Sequence, residues 1–225
     1  MRKEPGARSL PAVLAAAWIL FCPAAAQEPP REAGRFRRPD LVEVTALDPG
    51  IRLDLRYATS DNLTGSPLYP VARALLQRPV AKALVRAHRR LARAGLGIVV
   101  WDAYRPWSVT KRLWDAAPAE KRQPQFVADP SVGSKHNRGC AVDVTLFDRQ
   151  TGREASMPSA YDEFTERARA DYAGGDPESR RQRDLLRAAM AKEGFSVNDA
   201  EWWHFNHASC GKYPILNLDL ERAGR

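Results

Sequence analysis

The feature that most constrains the fold is an aspartate in the middle of an apolar run. Residues 141–147 read Ala-Val-Asp-Val-Thr-Leu-Phe, and this short apolar segment predicts a buried strand over Ala141–Phe147. Burying a lone carboxylate costs much free energy unless the group is paired or bound to a metal ion. The fold must therefore bring a partner to Asp143.

A histidine seven residues earlier is one candidate partner. A neutral imidazole and a carboxylate are both suitable zinc ligands, but this spacing places His136 and Asp143 on opposite faces of a regular strand. The intervening Asn137–Gly139 can form a turn that resets the direction of the chain. Alone, the segment predicts either part of a metal site or a His–Asp hydrogen bond that stiffens a turn.

The tetrapeptide Glu201-Trp202-Trp203-His204 offers a third ligand, His204, and another carboxylate. Three protein ligands with one open position is the arrangement of a catalytic zinc site rather than a structural one. Zinc lowers the pKa of its bound water to about 7, and Glu201 could then take up the proton and pass it to a leaving amine. The alternative is that the tetrapeptide only contributes to an aromatic core.

A third polar element, Asp102-Ala103-Tyr104-Arg105-Pro106, follows a predicted strand over Gly97–Trp101. An arginine at the end of a strand, held by the following proline, could donate two hydrogen bonds to an oxyanion. The alternative for Arg105 is a structural ion pair with Asp102. Composition does not separate the two.

Strand and helix patterns predict a single α+β domain. The alternation from Ile51 to Tyr57 is typical of a half-buried strand. Helices are predicted over Val80–Ala94, over Trp107–Ala116 and from Asp176 to Gly194. Because strands and helices do not alternate regularly as in βαβ units, we expect a mostly antiparallel central sheet flanked by helices.

The N-terminal segment predicts export. Residues 1–8 carry three basic side chains, Leu10–Phe21 is almost entirely apolar, and Ala24–Ala26 fits a small-residue cleavage site. We expect a signal peptide over residues 1–26, a flexible leader over 27–40 and the folded domain over 41–225. The apolar run is too short to span a bilayer comfortably. We therefore expect a periplasmic or secreted protein without stable membrane insertion, with an uncleaved N-terminal anchor as the alternative.

Export also affects the two cysteines of the mature chain, Cys140 and Cys210, because a disulfide persists in an oxidising compartment. Cys140 lies between two candidate ligands and Cys210 follows the third by six residues. A shared metal ion would bring these regions together. The sequence leaves open both a bridge and two unpaired thiols.

Charge does not indicate a nucleic-acid partner. The formal net charge is +8, and the predicted signal peptide carries three basic residues against one acidic, so +6 remains on the mature chain. The basic residues are spread over predicted helices and are not clustered with aromatic ones, which argues against nucleic-acid binding. We predict no obligate protein partner.

Together these segments resemble the VanX-type D-alanyl-D-alanine dipeptidases, within the wider family of zinc D-Ala-D-Ala peptidases. That family is characterised by Ser-x-His, then x-x-Gly-x-Ala-x-Asp, and a later Glu-x-x-His. The matching residues, in order and at the same spacing, are Ser134, His136, Gly139, Ala141, Asp143, Glu201 and His204. The resemblance extends over nearly the whole mature chain, and the combined pattern is specific where each piece alone is not.

The resemblance implies roles for the residues of the three polar clusters. One zinc ion per chain would be held by His136, Asp143 and His204. Glu201 would be the general base and acid, and Arg105, within Tyr-Arg-Pro, would stabilise the transition state.

The resemblance also implies a hedgehog/DD-peptidase-like fold and three substrate contacts. Asp162, in Met-Pro-Ser-Ala-Tyr-Asp, is similar to a residue that receives the substrate ammonium. Tyr57 is similar to a tyrosine near that end of the substrate. Ser134 is similar to a serine near the substrate carboxylate.

The implied reaction is hydrolysis of the small dipeptide D-Ala-D-Ala to two D-alanines, in cell-wall peptide turnover. Restriction to a dipeptide would follow from a small closed pocket whose charged groups bind both termini. This chain departs from the family in two ways: Cys140 replaces a serine of some relatives, and the predicted signal peptide is absent from the cytoplasmic enzymes of glycopeptide resistance. An exported enzyme fits recycling of peptidoglycan fragments better than resistance.

Two other functions remain as alternatives. One is a D,D-carboxypeptidase that uses the same zinc chemistry on wall stem peptides. The other is a non-catalytic, zinc-stabilised module that binds the cell wall. Glu201 argues against the second, because a structural zinc site does not need an unligated carboxylate beside it.

Overall fold

The computed structural model of the chain describes residues 1, 28–119, 122 and 126–224. The predicted signal peptide, apart from Met1, lies outside the described residues. The strands are β1 (Leu41–Glu43), β2 (Arg52–Leu53), β3 (Leu75–Gln77), β4 (Leu96–Asp102), β5 (Ala141–Asp148), β6 (Phe195–Asn198) and β7 (Glu201–His207). The helices are α1 (Val44–Leu47), α2 (Arg78–Ala92), α3 (Trp107–Ala116) and α4 (Pro177–Ala191).

The centre of the molecule is a five-stranded sheet in the order β2-β4-β5-β7-β6. Strand β2 runs parallel to β4, and the other neighbouring pairs are antiparallel. Strands β1 and β3 form a separate antiparallel pair. Helix α2 packs against β4 and against α4. The prediction of an α+β domain with a mostly antiparallel sheet flanked by helices is confirmed.

The two central strands are buried along almost their whole length. All seven residues of β4 are buried, and so are the first seven of β5. This explains why their sequences are nearly continuous apolar runs instead of alternating ones. Polar side chains on these strands therefore lie where water does not solvate them, so leaving one without a partner costs free energy.

The helix predictions are confirmed to within a few residues. Helix α3 has the predicted bounds, and α2 starts two residues earlier than predicted, with Pro79 in its first turn. Helix α4 begins at Pro177, and the Asp176 carboxylate accepts a hydrogen bond from the Ser179 amide as its N-cap.

The predicted strand from Ile51 to Tyr57 is shorter than expected. Strand β2 covers only two residues and is followed by a turn of 3₁₀ helix over Arg56–Ala58. The Asn62 side-chain amide donates to the carbonyls of Arg56 and Thr59. Such local bonds compete with a strand ladder. Ile51, Leu55 and Tyr57 of the pattern are nevertheless buried, and Leu53 is half-buried.

Cys140 and Cys210 form a disulfide, with their Cα atoms 5.3 Å apart. Of the two alternatives that the sequence left open, the structure has the bridge. It connects the start of β5 to the turn that follows β7.

The segment predicted as a flexible leader contains no helix or strand over residues 28–40, and it contacts the domain. The Glu32 carboxylate accepts from the Ile215 amide at 2.6 Å and pairs with Arg138. The Arg37 amide donates to the Lys212 carbonyl at 2.8 Å. In the part of the chain that the structure describes, no helix has the length and apolar character needed to cross a membrane.

Candidate active site

Three side chains that are distant in sequence converge at the centre of the sheet. Asp143 on β5 lies directly opposite His204 on β7 in the antiparallel register. His136 reaches the same point from the turn before β5. Its Nε2 atom is 3.1 Å from His204 Nδ1 and 3.3 Å from Asp143 Oδ1, and His204 Nδ1 is 2.9 Å from Asp143 Oδ1.

The turn before β5 explains how His136 and Asp143 reach the same point, although their spacing would place them on opposite faces of a regular strand. Residues His136–Arg138 form a single turn of 3₁₀ helix, which ends at Gly139 with φ of 66°. A Cβ atom at Gly139 would lie 2.5 Å from Leu41 Cδ2, so both the backbone conformation and the space require glycine. The predicted turn is therefore confirmed, and it points His136 toward the same side as Asp143.

A buried asparagine fixes this turn to the neighbouring segment. Asn137 Oδ1 accepts from the Ser134 amide at 2.7 Å. Its Nδ2 donates at 2.8 Å to both the Arg105 carbonyl and Thr110 Oγ1. The loop that carries His136 is thus held to the segment that carries Arg105.

The three ligand atoms fit a single metal ion. A tetrahedral zinc ion with bonds of 2.0–2.1 Å separates its ligand atoms by roughly 3.3 Å, close to the distances found here. His136 Nδ1 lies 2.7 Å from the Ala103 carbonyl and His204 Nε2 lies 3.0 Å from Asn206 Oδ1. Each ring donates through one nitrogen to these acceptors, which leaves the other nitrogen, the one facing Asp143, for a metal.

Asp143 is available as an anionic ligand. Burial alone would raise its pKa, but the adjacent imidazoles of His136 and His204 outweigh this and hold the pKa well below its ordinary value. Its second oxygen, Oδ2, accepts a hydrogen bond from the Tyr161 hydroxyl at 3.0 Å. Among the described residues, His136, Asp143 and His204 thus form a group whose ligand atoms could hold a metal ion.

Glu201, at the start of β7, lies beside the cluster without belonging to it. Its Oε2 atom is 3.9 Å from His204 Nδ1 and accepts from Asn198 Nδ2 at 2.9 Å. Burial, together with the charges of Asp143 and Asp162, raises the pKa of Glu201 to about 8, although the charge of His204 opposes the shift. A carboxylate with this pKa can both accept and return a proton near neutral pH.

Of the two interpretations of Arg105 that the sequence left open, the structure shows the ion pair with Asp102. Its Nε and Nη2 atoms donate to Asp102 Oδ2 at 3.0 and 2.6 Å, so the structural ion pair is present. Asp102 is held in turn by the Tyr69 hydroxyl, 2.6 Å from Oδ1. The guanidinium also lies 4.8 Å above the Tyr57 ring and lines the same pocket as the metal cluster. The ion pair therefore fixes Arg105 in the pocket wall.

Asp162 has the one positive φ among the described non-glycine residues, 56°. Such a conformation is uncommon and often marks a functional position. The Tyr57 hydroxyl is 3.4 Å from Asp162 Oδ2, and burial raises the pKa of Asp162 to about 7. Ser134, whose Oγ accepts from the His136 amide at 3.2 Å, completes the group of predicted substrate contacts.

All eight predicted site residues line one cavity of about 270 Å³. They are Tyr57, Arg105, Ser134, His136, Asp143, Asp162, Glu201 and His204. Sequence reasoning missed several residues that hold them: Tyr161, Asn198, Asn206, Asn137 and Tyr69. These act mainly through tertiary contacts; only Tyr161, which directly precedes Asp162, and Asn137, in the predicted turn, lie next to predicted site residues.

Two imidazoles, an aspartate and an adjacent buried glutamate thus face one pocket on a mostly antiparallel sheet. This arrangement is that of a metallopeptidase, and it gives the class of this protein. Residues 37–218 match the Peptidase_M15 family of D-Ala-D-Ala dipeptidases, and the chain belongs to this family.

Curated relatives agree with this assignment. The D-alanyl-D-alanine dipeptidase of Escherichia coli K12 is 38% identical over 177 residues, which cover 79% of this chain and 89% of that protein. The enzyme of the same name from Enterococcus faecalis V583 is 36% identical, covering 69% of this chain and 85% of the relative. The solved structure of the vancomycin-resistance D,D-dipeptidase VanXYg with a D-Ala-D-Ala phosphinate analogue superimposes with a TM-score of 0.43 at 18% identity, over 80% of this chain and 59% of the other.

Proposed function

We propose that this chain hydrolyses the dipeptide D-Ala-D-Ala to two D-alanines, in the turnover of cell-wall peptides. The observation that carries the proposal is the convergence of all eight predicted residues on one small cavity. Family membership and the names of the curated relatives support the choice of substrate.

The proposed cofactor is one zinc ion per chain, held by His136 Nε2, Asp143 Oδ1 and His204 Nδ1. Two imidazoles and a carboxylate are a suitable donor set for zinc, and three protein ligands leave a position for water or substrate. When bound, zinc lowers the pKa of water and polarises the attacked carbonyl group.

Glu201 supplies the proton transfers of the proposed mechanism. It is not one of the three residues whose ligand atoms converge on one point, but it lines the same cavity. Its carboxylate takes a proton from the attacking water and returns that proton to the nitrogen of the leaving D-alanine. The Asn198 side chain holds it in this orientation through the hydrogen bond to Oε2.

Arg105 meets the negative charge that develops on the attacked carbonyl oxygen. Because Asp102 fixes two of its guanidinium nitrogens, the positive charge is already in place when the reaction begins. Preorganised charge of this kind stabilises the transition state without further reorganisation.

The ends of the dipeptide are assigned to the walls of the cavity. Asp162, with Tyr57 beside it, binds the substrate ammonium, and Ser134 lies near the substrate carboxylate. A longer peptide would place an amide where a charged terminus belongs and leave Asp162 unpaired, which disfavours it.

We further propose that the enzyme acts outside the cytoplasm, after removal of residues 1–26. The pattern of the N-terminal segment supports this proposal. The Cys140–Cys210 disulfide supports it as well, because such bridges persist in oxidising compartments.

A substrate panel tests the proposed function. The purified mature chain is assayed with D-Ala-D-Ala, L-Ala-L-Ala and a stem pentapeptide ending in D-Ala-D-Ala, with zinc and with a chelator. We expect hydrolysis of D-Ala-D-Ala above all, and its loss on chelation. Faster release of D-alanine from the pentapeptide would make the protein a D,D-carboxypeptidase. Zinc binding without any hydrolysis would favour the non-catalytic wall-binding module.

A further inference from the structure

The hydroxyl of Tyr161 touches the metal cluster at a point that none of the roles above uses. The two oxygens of Asp143 have different surroundings. Oδ1 faces the imidazoles, 2.9 Å from His204 Nδ1 and 3.3 Å from His136 Nε2. Oδ2 accepts a hydrogen bond from the Tyr161 hydroxyl at 3.0 Å.

This division matters because a carboxylate can bind a metal ion through one oxygen or through both. A hydrogen bond to one oxygen fixes the rotation of the carboxylate and occupies that oxygen, so the other one alone remains for the metal. Binding through a single oxygen keeps the protein ligand count at three and the fourth position open for water or substrate.

The Tyr161 ring is held firmly enough to play this part. Its centroid is 5.0 Å from that of Trp101 on β4 and 5.6 Å from that of Trp203 on β7. Trp203 directly precedes the metal ligand His204. The ring is therefore packed against the two strands that flank β5, the strand of Asp143, and its hydroxyl has a defined position relative to that carboxylate.

We infer that Tyr161 is a positioning residue of the metal centre, which holds Asp143 in single-oxygen coordination. The inference rests on the proposed function only in taking the cluster as a metal site. It assigns Tyr161 a part in metal affinity and in the coordination number, and no contact with the reacting atoms.

The test is the Tyr161→Phe variant, which keeps the ring and its packing and removes only the hydroxyl. Zinc affinity is measured by competition with a chromophoric chelator, and we expect it to fall about 10- to 100-fold, as for other partners of metal ligands. In the cobalt-substituted protein, we expect the visible absorption to weaken, because a carboxylate released to bind through both oxygens raises the coordination number. At saturating zinc, kcat falls less than zinc affinity does.

Tyr172→Phe is the matched control, because this tyrosine lies beside Gly174 in the turn before α4 and outside the cavity. We expect its zinc affinity and cobalt spectrum to equal those of the wild type. Unchanged affinity and spectrum in Tyr161→Phe would overturn the inference, and an accompanying loss of kcat would mean that the hydroxyl acts on the substrate instead.

These measurements do not depend on the substrate. If the wild-type chain binds zinc but does not hydrolyse D-Ala-D-Ala, the proposed function fails while the comparison of zinc affinities still decides the role of Tyr161.

Discussion

Glu201 lies close to the proposed metal ligands but has a different proposed role, proton transfer instead of metal binding. Replacing one of its carboxylate oxygens by nitrogen tests the two roles separately. Glu201→Gln keeps the size and the hydrogen-bonding capacity of the side chain but removes its basicity. Since the carboxylate is the proposed proton carrier, we expect kcat for D-Ala-D-Ala to fall about 10²- to 10⁴-fold. Zinc affinity should change little, because Glu201 is not a ligand. Steady-state kinetics and chelator competition measure the two effects.

The exposed Glu178 on α4 provides the control for this substitution. Glu178→Gln makes the same chemical change far from the cavity and should leave kcat unaltered. Full activity in Glu201→Gln would remove Glu201 from the mechanism.

Asp162 is predicted to bind the substrate ammonium, so Asp162→Asn should weaken binding of the dipeptide. A hydrogen bond to a charged group contributes about 1.5–3 kcal/mol. We therefore expect kcat/KM for D-Ala-D-Ala to fall about 10- to 150-fold, with no loss of zinc affinity. An unchanged kcat/KM in this variant would reassign the ammonium site.

The same variant has a predicted effect on stability versus pH. Burial raises the pKa of Asp162 from 3.8 to about 7 in the folded protein, so the folded state holds this proton more tightly than the unfolded state. The stabilising effect of the proton is complete below pH 4 and is lost as the pH rises to about 7. In metal-free protein, the Tm of Asp162→Asn relative to the wild type should therefore rise between about pH 4 and pH 7 and stay constant above that. A Tm difference that does not vary with pH would contradict the raised pKa.

At the residue scale, the sequence indicated the candidate metal ligands but not the residues that hold them in place. His136, Asp143 and His204 could be found because a carboxylate in an apolar run and histidines in unusual surroundings are local signals. Asn198 and Asn206 could not, because nothing in their neighbourhood distinguishes them from ordinary polar residues. Their importance depends on the register that brings β6 and β7 beside β5.

At the scale of elements, the site depends on the turn that ends at Gly139. Gly139→Ala places a side chain in a left-handed conformation, which costs roughly 1–2 kcal/mol, and also forces a contact with Leu41 Cδ2 at 2.5 Å. We expect lower Tm and weaker zinc binding, because the turn aims His136. Thermal unfolding and chelator competition check these two effects.

Gly65→Ala is the matched control for the turn. Gly65 has nearly the same φ, 67°, but no atom lies within 4 Å of the added Cβ. It should therefore lose only the stability that belongs to the backbone conformation and should keep its zinc affinity. Equal effects of the two variants on zinc binding would show that the turn at Gly139 does not position His136.

The helices and the long central strands could be predicted because each carries its own periodicity or apolar run. Strands β1 and β3 have only three residues each, too few to show a period. The alternation from Ile51 to Tyr57 identified three of its four apolar side chains as buried, but the strand itself covers only Arg52 and Leu53. A two-residue period marks which residues face the core, but side-chain bonds from Asn62 decided how the chain turns there.

At the scale of the whole molecule, the disulfide joins the regions that carry the proposed metal ligands. The bridge spans 70 residues of sequence, and in the chain-entropy model a loop of that length contributes about 4 kcal/mol to stability. We expect the double variant Cys140→Ser/Cys210→Ser to unfold at lower urea concentration than the wild type. Because the double variant has no thiols on the mature chain to reoxidise, its midpoint should not respond to reductant. A wild-type midpoint that also ignores reductant would contradict the bridge.

Metal binding would also connect the segment that carries His136 and Asp143 to the segment that carries His204. A ligand that binds only the folded state stabilises that state. At a zinc concentration about 1,000 times the Kd, the stabilisation is about 4 kcal/mol, or roughly 8–16 °C in Tm for a chain of this size. Chelation should therefore lower the Tm of the wild type by roughly this amount, and His204→Ala should abolish the part of the Tm that depends on zinc.

If the disulfide and the metal hold the same two segments together, each must compensate partly for loss of the other. Chelation should then lower Tm more in Cys140→Ser/Cys210→Ser than in the wild type, whereas equal shifts would mean that the two cross-links stabilise the fold independently.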